Sequence, residues 1–343
     1  MKKSTIQDVA EKANVSKGTV SAVINSKTIV KSATRERVLK VMKELNFRPR
    51  GHARNLKTQL IERSIGLIIR ELDNPFYTTL ATGVKKYAKS KGYIEIISSS
   101  ESDHENEEEI TQMFSSKDVK GAIIAPVING SVEIDHLFRL KLLNYPFVML
   151  EEVQGIQANV VSINNLKATM NATNYLMETG HTRIVHFSGP EFASHTHERI
   201  SGFRNAFSES NLRFSDDLIV ACGSHFQHGF DTGIQYFKGI DSNMFPMAVV
   251  CYNDISALGL ISALHKLNID VPNQVSIIGN DDIEFARHWS PALTTIHSPL
   301  EELGEKAAEV LIRHIEADQI LPIEKHQLES ELRIRETTLD LSK

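Results

Sequence analysis

A small all-α N-terminal unit carried on an α/β body of two doubly wound parallel-sheet lobes is the fold this 343-residue sequence predicts. Three observations carry it. Residues 1–64 hold 15 Lys+Arg against 5 Asp+Glu, a net of +10, whereas residues 65–343 hold 23 against 38, a net of −15. The basic part contains only short helical patterns. The acidic part alternates nine apolar runs with helical patterns, too many strands for one comfortable open sheet.

Length and composition bound the alternatives. A chain of 343 residues exceeds one compact core, so more than one domain is expected. Hydrophobic content of 41% and charged content of 24% exclude disorder and collagen-like structure. No apolar run approaches the roughly 18 residues of a membrane span, and "MKKSTIQDVAEKAN" has no apolar stretch after its lysines. The expectation is a cytoplasmic protein with no membrane partner. Cys222 and Cys251 are too few to staple a chain of this size, and both read as packing thiols.

In residues 1–49, "TIQDVAEKANVSKGTVSAVIN" carries two short helices and a turn. Thr5 and Asp8 have capping-box spacing, and Ile6, Val9, Ala10 and Ala13 share one helical face. Asn14 breaks the pattern. Ser16 caps a second helix that buries Val20, Val23 and Ile24 and turns Lys17, Gly18, Ser21, Ala22 and Asn25 outward. A third helix, opened by Ser32, buries Val38, Val41, Met42 and Leu45. Such a layout is that of a helix-turn-helix, whose second helix enters a major groove. A plain three-helix bundle with a solvated face has the same pattern, but it gains nothing from a net +10, which on DNA displaces condensed counterions.

"TIQDVAEKANVSKGTVSAVIN", "TRERVLKVMKELNFRPR" and "ARNL" resemble the headpiece of the LacI/GalR family of bacterial transcription regulators, and the resemblance continues along essentially the whole chain. It implies DNA contacts from Thr5, Ser16, Lys17, Gly18, Thr19, Ser21, Ala22 and Asn25. One position departs. The family usually places arginine where this chain has Ala22, which offers a thymine only a methyl group instead of a bidentate contact to guanine. The operator is therefore expected to depart from the common family consensus. In "RNLKTQ", within residues 50–62, the resemblance implies a hinge helix that forms on DNA. Leu56 is its minor-groove wedge, flanked by Arg54, Asn55 and Lys57, and the unstacking it causes is offset by the extra contact a bent duplex permits.

The body, residues 63–343, reads as strands "SIGLII", "YIEIIS", "GAIIAPV", "FVML", "NVVSI", "RIVHFSG", "LIVACG", "MAVVCYND" and "VSIIGND". Polar loops follow five of them: "ELDNPFY" the first, "LEE" the fourth, "SGPEFASHTHER" the sixth, "CYND" the eighth and "GNDD" the ninth. Open parallel sheets bind ligands at the carboxyl ends of their strands, so these loops define a polar cleft between lobes. Resemblance to the same regulators and to periplasmic sugar-binding proteins implies a periplasmic-binding-protein-like body. Its first lobe is expected over about 63–159 and 295–323, its second over about 160–292 and 324–343. The implied ligand contacts are Asn74, Phe76, Glu151, His195, Arg199, Asn253 and Asp281. Near "CGSHFQHG" the spacing to the next glycine departs from the family pattern, and Phe226 is the stacking aromatic implied there. Trp289 either packs the hinge or stacks on a ligand.

Cys222, His225 and His228 have a loosely metal-like spacing without a matching fourth ligand, and no metal or cofactor is assigned. No G-x-S-x-G, G-x-G-x-x-G, P-loop or H-E-x-x-H supports an enzyme, and adjacent Asp281 and Asp282 at a strand end make a poor acid/base pair. A periplasmic solute-binding protein needs no headpiece. The expectation is a homodimeric repressor of carbohydrate genes, with operator DNA and a small sugar-like effector as partners.

Overall fold

A computed structural model describes residues 4–24, 30–45, 47, 63–127, 134–191 and 193–343, with backbone alone for 117 and 118. The chain divides into two compact units, Met1–Arg63 and Ser64–Lys343.

In the first unit α1 (Ile6–Ala13), α2 (Lys17–Ile24) and α3 (Ser32–Glu44) close on Val9, Ala10, Ala13, Val20, Val23, Val38 and Val41. Ile6, Ile24, Met42 and Leu45 pack on this core while staying partly exposed. The capping box is present: Thr5 Oγ1 accepts the Asp8 N–H at 3.3 Å, and the Asp8 carboxylate accepts the Thr5 N–H at 2.7 Å. Asn14 ends α1 in the left-handed region, φ 52°, where its backbone N–H reaches back to the carbonyls of Ala10 and Glu11. Ser16 Oγ then accepts the Thr19 N–H at 3.0 Å and starts α2. Ser32 does begin α3, but Lys31 holds the cap position and no side chain caps it.

The second unit begins β1 (Ser64–Ile69), α4 (Pro75–Ser90), β2 (Ile94–Ser99), α5 (His104–Met113), β3 (Ala122–Ile124), α6 (Asp135–Leu142), β4 (Phe147–Met149) and β5 (Asn159–Ile163). It continues α7 (Asn165–Glu178), β6 (Ile184–Ser188), α8 (Ser194–Ser208), β7 (Ile219–Ala221), α9 (Phe226–Phe237), β8 (Met247–Cys251), α10 (Asp254–Lys266) and β9 (Val275–Asp281). The last elements are α11 (Glu284–His288), β10 (Thr294–His297), α12 (Leu300–Glu316), β11 (Lys325–Leu328) and β12 (Glu331–Arg333).

These strands form two six-stranded sheets, ordered β11-β5-β4-β3-β1-β2 and β12-β10-β9-β8-β6-β7. Every pairing is parallel except β10 with β12. Each sheet has a separate apolar core on each face, as doubly wound lobes require. The lobe limits expected from sequence need correction. Residues 160–163 and 325–328 belong to the first sheet, and residues 295–297 to the second. A strand joins a sheet through its backbone ladder, and hydrophobic runs do not encode which ladder they enter. The chain therefore crosses between lobes after β5, after β10 and after β11.

Three helix pairs pack backbone to backbone, α7 with α8 among them, where a Cβ on Gly202 would lie 2.1 Å from the Leu166 carbonyl oxygen. A Cβ on Gly83 of α4 would lie 1.9 Å from the Glu301 carbonyl oxygen of α12, and one on Gly304 would lie 2.1 Å from that of Leu80. In the second lobe Gly229 and Gly259 join α9 to α10, their added carbons falling 1.9 Å from Ser256 O and 2.0 Å from Phe226 O. At the start of α10, buried Asp254 accepts the Ile283 N–H at 2.9 Å and the Thr295 hydroxyl at 2.5 Å. It ties that helix to the loop after β9 and to β10, close to two of the cleft-forming loops.

Two expected outcomes follow from this packing. Gly83→Ala should separate α4 from α12 and destabilise the body by about 2 kcal/mol or more, read as a lower urea midpoint. Burial, then the charge of Asp281, pushes the Asp254 carboxyl from 3.8 up to about 8. The folded body thus keeps a proton that the unfolded chain has lost above about pH 4, so stability falls as pH rises through 8. Urea unfolding between pH 6 and pH 8 should show this decline, and Asp254→Asn should flatten it; an unchanged slope in the variant overturns the assignment.

Candidate ligand-binding cleft and DNA-reading face

The loops at the carboxyl ends of both sheets enclose a cavity of about 90 Å³ between the lobes. Asn74, Phe76, Glu151, His195, Arg199, Asn253 and Asp281 all line it. Phe226 does not. It starts α9 with 38% of its surface exposed and leans against Trp289, ring centroids 6.5 Å apart. The altered spacing before the next glycine leaves this ring outside the cavity, and Trp289 does not line the cavity either.

Two asparagines do double duty. Asn74 Oδ1 accepts the Phe76 N–H at 3.0 Å at the start of α4, and Asn253 Oδ1 accepts the Ser256 N–H at 2.9 Å at the start of α10. Each helix start fixes an amide at a strand end. The Asn253 amide donates to Ser224 O at 2.8 Å and so anchors the β7–α9 loop to the wall.

The second lobe also contributes a buried arginine and the first a half-buried one. Arg199, 6% exposed on α8, donates to the Tyr252 carbonyl and to Asn165 Oδ1, at 3.2 Å from Nε and 3.1 Å from Nη2. Its guanidinium lies 4.7 Å from the Tyr252 ring centroid and 3.9 Å from Asp281 Oδ1. In the first lobe Arg70 donates to Pro126 O at 3.0 and 2.8 Å and pairs with Glu151. Glu151 is shared: Ser194 of α8 donates to it, and His195 Nδ1 stands 3.4 Å away. The lobes are therefore joined across the cleft at this carboxylate.

His195 also contacts the Tyr252 hydroxyl, and its ring stacks on that of Tyr252, centroids 5.5 Å apart. Tyr252 fits there because residue 189 is glycine, on which a Cβ would fall 2.2 Å from the tyrosine ring. Burial, reinforced by Arg70 and Arg199, drives the His195 pKa well below its ordinary value, so the ring is neutral. Burial raises Asp281 to about 6 although Arg199 and Asn280 oppose it, and burial also raises Glu198. Asp281 sits at φ 118°, a conformation few non-glycine residues adopt, held where β9 ends.

Sequence reading missed Arg70, Glu71, Tyr77, Asn165, Glu198 and Tyr252, which also line the cavity. Glu71 and Tyr77 lie inside the quoted loop "ELDNPFY", Glu198 inside "SGPEFASHTHER" and Tyr252 inside "CYND". Arg70 directly follows β1 and Asn165 opens α7 two residues after β5, and that position is their available signal. The His225 and His228 rings lie 4.9 Å apart, and His228 Nδ1 faces the His225 N–H at 3.4 Å, but Cys222 does not join them in a ligand set among the described residues. His225 instead faces Glu71 and Asp73 of the first lobe.

In the headpiece, Lys17 and Gly18 are exposed and Thr19, Ser21 and Ala22 half-buried on α2. An added Cβ at Gly18 would meet only Ser16 Oγ, at 3.6 Å. Thr5 and Ser16 are occupied as helix caps. Asn25, Arg54, Asn55, Leu56 and Lys57 lie outside the described residues.

Residues 5–50 match the family model for bacterial regulatory proteins of the lacI family, and residues 173–338 that for a periplasmic binding protein-like domain. The chain is 34% identical over 336 residues to the HTH-type transcriptional repressor PurR of Vibrio vulnificus (strain CMCP6), covering 97% of this chain and 98% of the relative. It is similar to the transcriptional regulator CelR in its cellobiose complex, with 26% identity, TM-score 0.71, and coverage of 97% of this chain and 99% of that one. Its fold matches the Lac repressor dimer bound to operator and the anti-inducer ONPF, with 24% identity, TM-score 0.78, and coverage of 98% and 100%. Among the described residues no helix is long and apolar enough to cross a membrane. The chain belongs to the LacI family of bacterial transcription regulators, a DNA-binding repressor with an effector-binding domain rather than an enzyme.

Proposed function

We propose that the protein is a homodimeric repressor of carbohydrate-uptake or catabolism genes whose affinity for a palindromic operator is set by a small, uncharged, sugar-like effector in the inter-lobe cleft. The observation that carries this reading is the cleft's charge balance. Arg70 and Arg199 stand among Glu71, Glu151, Glu198 and Asp281, and burial raises the last two toward neutrality. Amides at Asn74, Asn165 and Asn253 add donors and acceptors suited to hydroxyl groups. The likeness to the CelR–cellobiose complex favours the same class. The curated relative named PurR does not carry a sugar reading, so purine bases are the competing class.

Dimerisation is supported by β2, an edge strand that leaves Ile94, Ile96 and Ile97 exposed. A free apolar edge invites a partner. A ligand that displaces Ser194 and His195 from Glu151 changes the angle between lobes. That angle in turn alters the spacing of the two hinges on DNA. Coupling of this kind is reciprocal, so operator must change effector affinity by the factor by which effector changes operator affinity.

A thermal-shift screen of neutral sugars, sugar acids and purines tests the effector class, because a cleft ligand stabilises the folded body by mass action. Stabilisation by a neutral sugar is expected; stabilisation by a purine alone overturns the carbohydrate reading. Arg199→Ala should abolish calorimetric binding of that sugar while circular dichroism still reports a folded chain; undiminished affinity places the ligand elsewhere. Leu56→Ala should weaken specific operator binding by a few kcal/mol and reduce DNA bending in a gel-phasing assay, whereas unaltered bending rules out the wedge.

A further inference from the structure

Beside the effector cavity, at the rim of the same cleft, three metal-ligating side chains from both lobes come together. Glu71 and Asp73 lie on the β1–α4 loop of the first lobe, and His225 lies on the β7–α9 loop of the second. One donor atom of each falls within 4.8 Å of the other two, and His225 Nε2 stands 3.6 Å from Glu71 Oε1. Only Glu71 of the three also lines the effector cavity. We infer that this trio is a zinc site that clips the lobes together when the cleft is closed.

The donor set selects the ion. An imidazole with two carboxylates suits zinc and similar first-row divalent ions, whereas magnesium and calcium prefer oxygen ligands throughout. Zinc binds nitrogen at about 2.0–2.1 Å and carboxylate oxygen at about 2.0–2.2 Å, with tetrahedral geometry and water as a common fourth ligand. Donors within 4.8 Å need only a small inward movement to reach such a sphere. Two carboxylates neutralise the dication, and the loops are held from behind. Asn253 anchors Ser224, next to His225, and Ser102 donates to Glu71 at 3.2 Å. Of the three, Asp73 is exposed and the other two are half-buried, so the ion can enter from solvent.

The consequence is regulatory. Because the ligands come from opposite lobes, an open cleft pulls the site apart, and zinc binds the closed arrangement alone. Any ion that binds one of two states shifts the equilibrium toward it by its differential affinity. Zinc would then act in concert with whatever else closes the cleft, without occupying the effector's place.

The test is a zinc titration of the chelator-stripped full-length chain, followed by calorimetry or by competition with a chromophoric zinc indicator, without effector or DNA. One zinc per chain with micromolar or tighter affinity is expected. His225→Ala and Asp73→Asn, both outside the effector cavity, should each weaken it at least tenfold, and magnesium should not compete. Absence of zinc binding, affinity unchanged in both variants, or equal competition by magnesium overturns the site. A second readout addresses the clip: zinc should reduce the distance between fluorophores on the two lobes, and His225→Ala should remove that change. Zinc bound at this affinity with no shortening leaves no clip and overturns that role. Effector and operator binding are measured separately, so failure here leaves the effector reading standing.

Discussion

The cleft depends on keeping Arg199 charged while almost wholly buried. A buried cation without partners is costly, and removing one partner leaves an uncompensated charge. Arg199 is satisfied from every side that the second lobe can offer: the Tyr252 carbonyl, Asn165 Oδ1, the Tyr252 ring face and the Asp281 carboxylate at 3.9 Å. Those partners come from the start of α7, the loop after β8 and the end of β9, while the arginine itself is carried on α8. Satisfying one guanidinium thus fixes the relative positions of several loops, and the rest of the wall is built on that arrangement. Tyr252 extends it, holding His195 on its other contacts and fitting only against Gly189.

The first lobe solves a similar problem with Arg70, Glu151 and the Pro126 carbonyl. The difference is that Glu151 also receives Ser194 from the opposite lobe. A carboxylate shared across a cleft gives closure an electrostatic component without an exposed ion pair, which would be worth little in water. Neutral His195 suits that position. A protonated ring there would stand between two arginines, and burial with their charges holds the proton off.

Much of this was legible in the sequence, for reasons that differ by element. Headpiece helices announce themselves through local chemistry: Thr5 with Asp8, Asn14, and Ser16 with Thr19 are short-range hydrogen-bonding devices. Strands β1 to β9 announce themselves as apolar runs, and most of them are buried on both faces, as parallel sheets require. β10, β11 and β12 do not. "TTIH", "KHQL" and "ELR" are short and polar, and their places are fixed by ladders to distant strands. The misplaced lobe limits follow from the same cause, since the three crossings are only a few residues long. In the cleft, strand-end position located most of the lining. What sequence could not supply was Tyr252 as a structural centre, because that depends on packing between elements far apart in the chain; the departure of Phe226 does have a local signal, the altered glycine spacing in "CGSHFQHG".

Three short crossings also constrain how the body can move. Each lobe has its own cores on both faces of its sheet, and helix pairs such as α4 with α12 and α9 with α10 touch through backbone at glycines. Close-packed interiors resist small deformations, so neither lobe is a soft element. The compliant parts are the segments after β5, β10 and β11 and the polar contacts across the cleft. The crossing after β10 is bounded by Asp282, whose carboxylate accepts from Arg335 and stands 2.9 Å from His297 Nδ1. A change at the cleft therefore finds two rigid bodies and a narrow set of hinges. Under those conditions the proposed effector response needs only a small polar rearrangement at Glu151, which two rigid lobes would express as a rotation of one against the other.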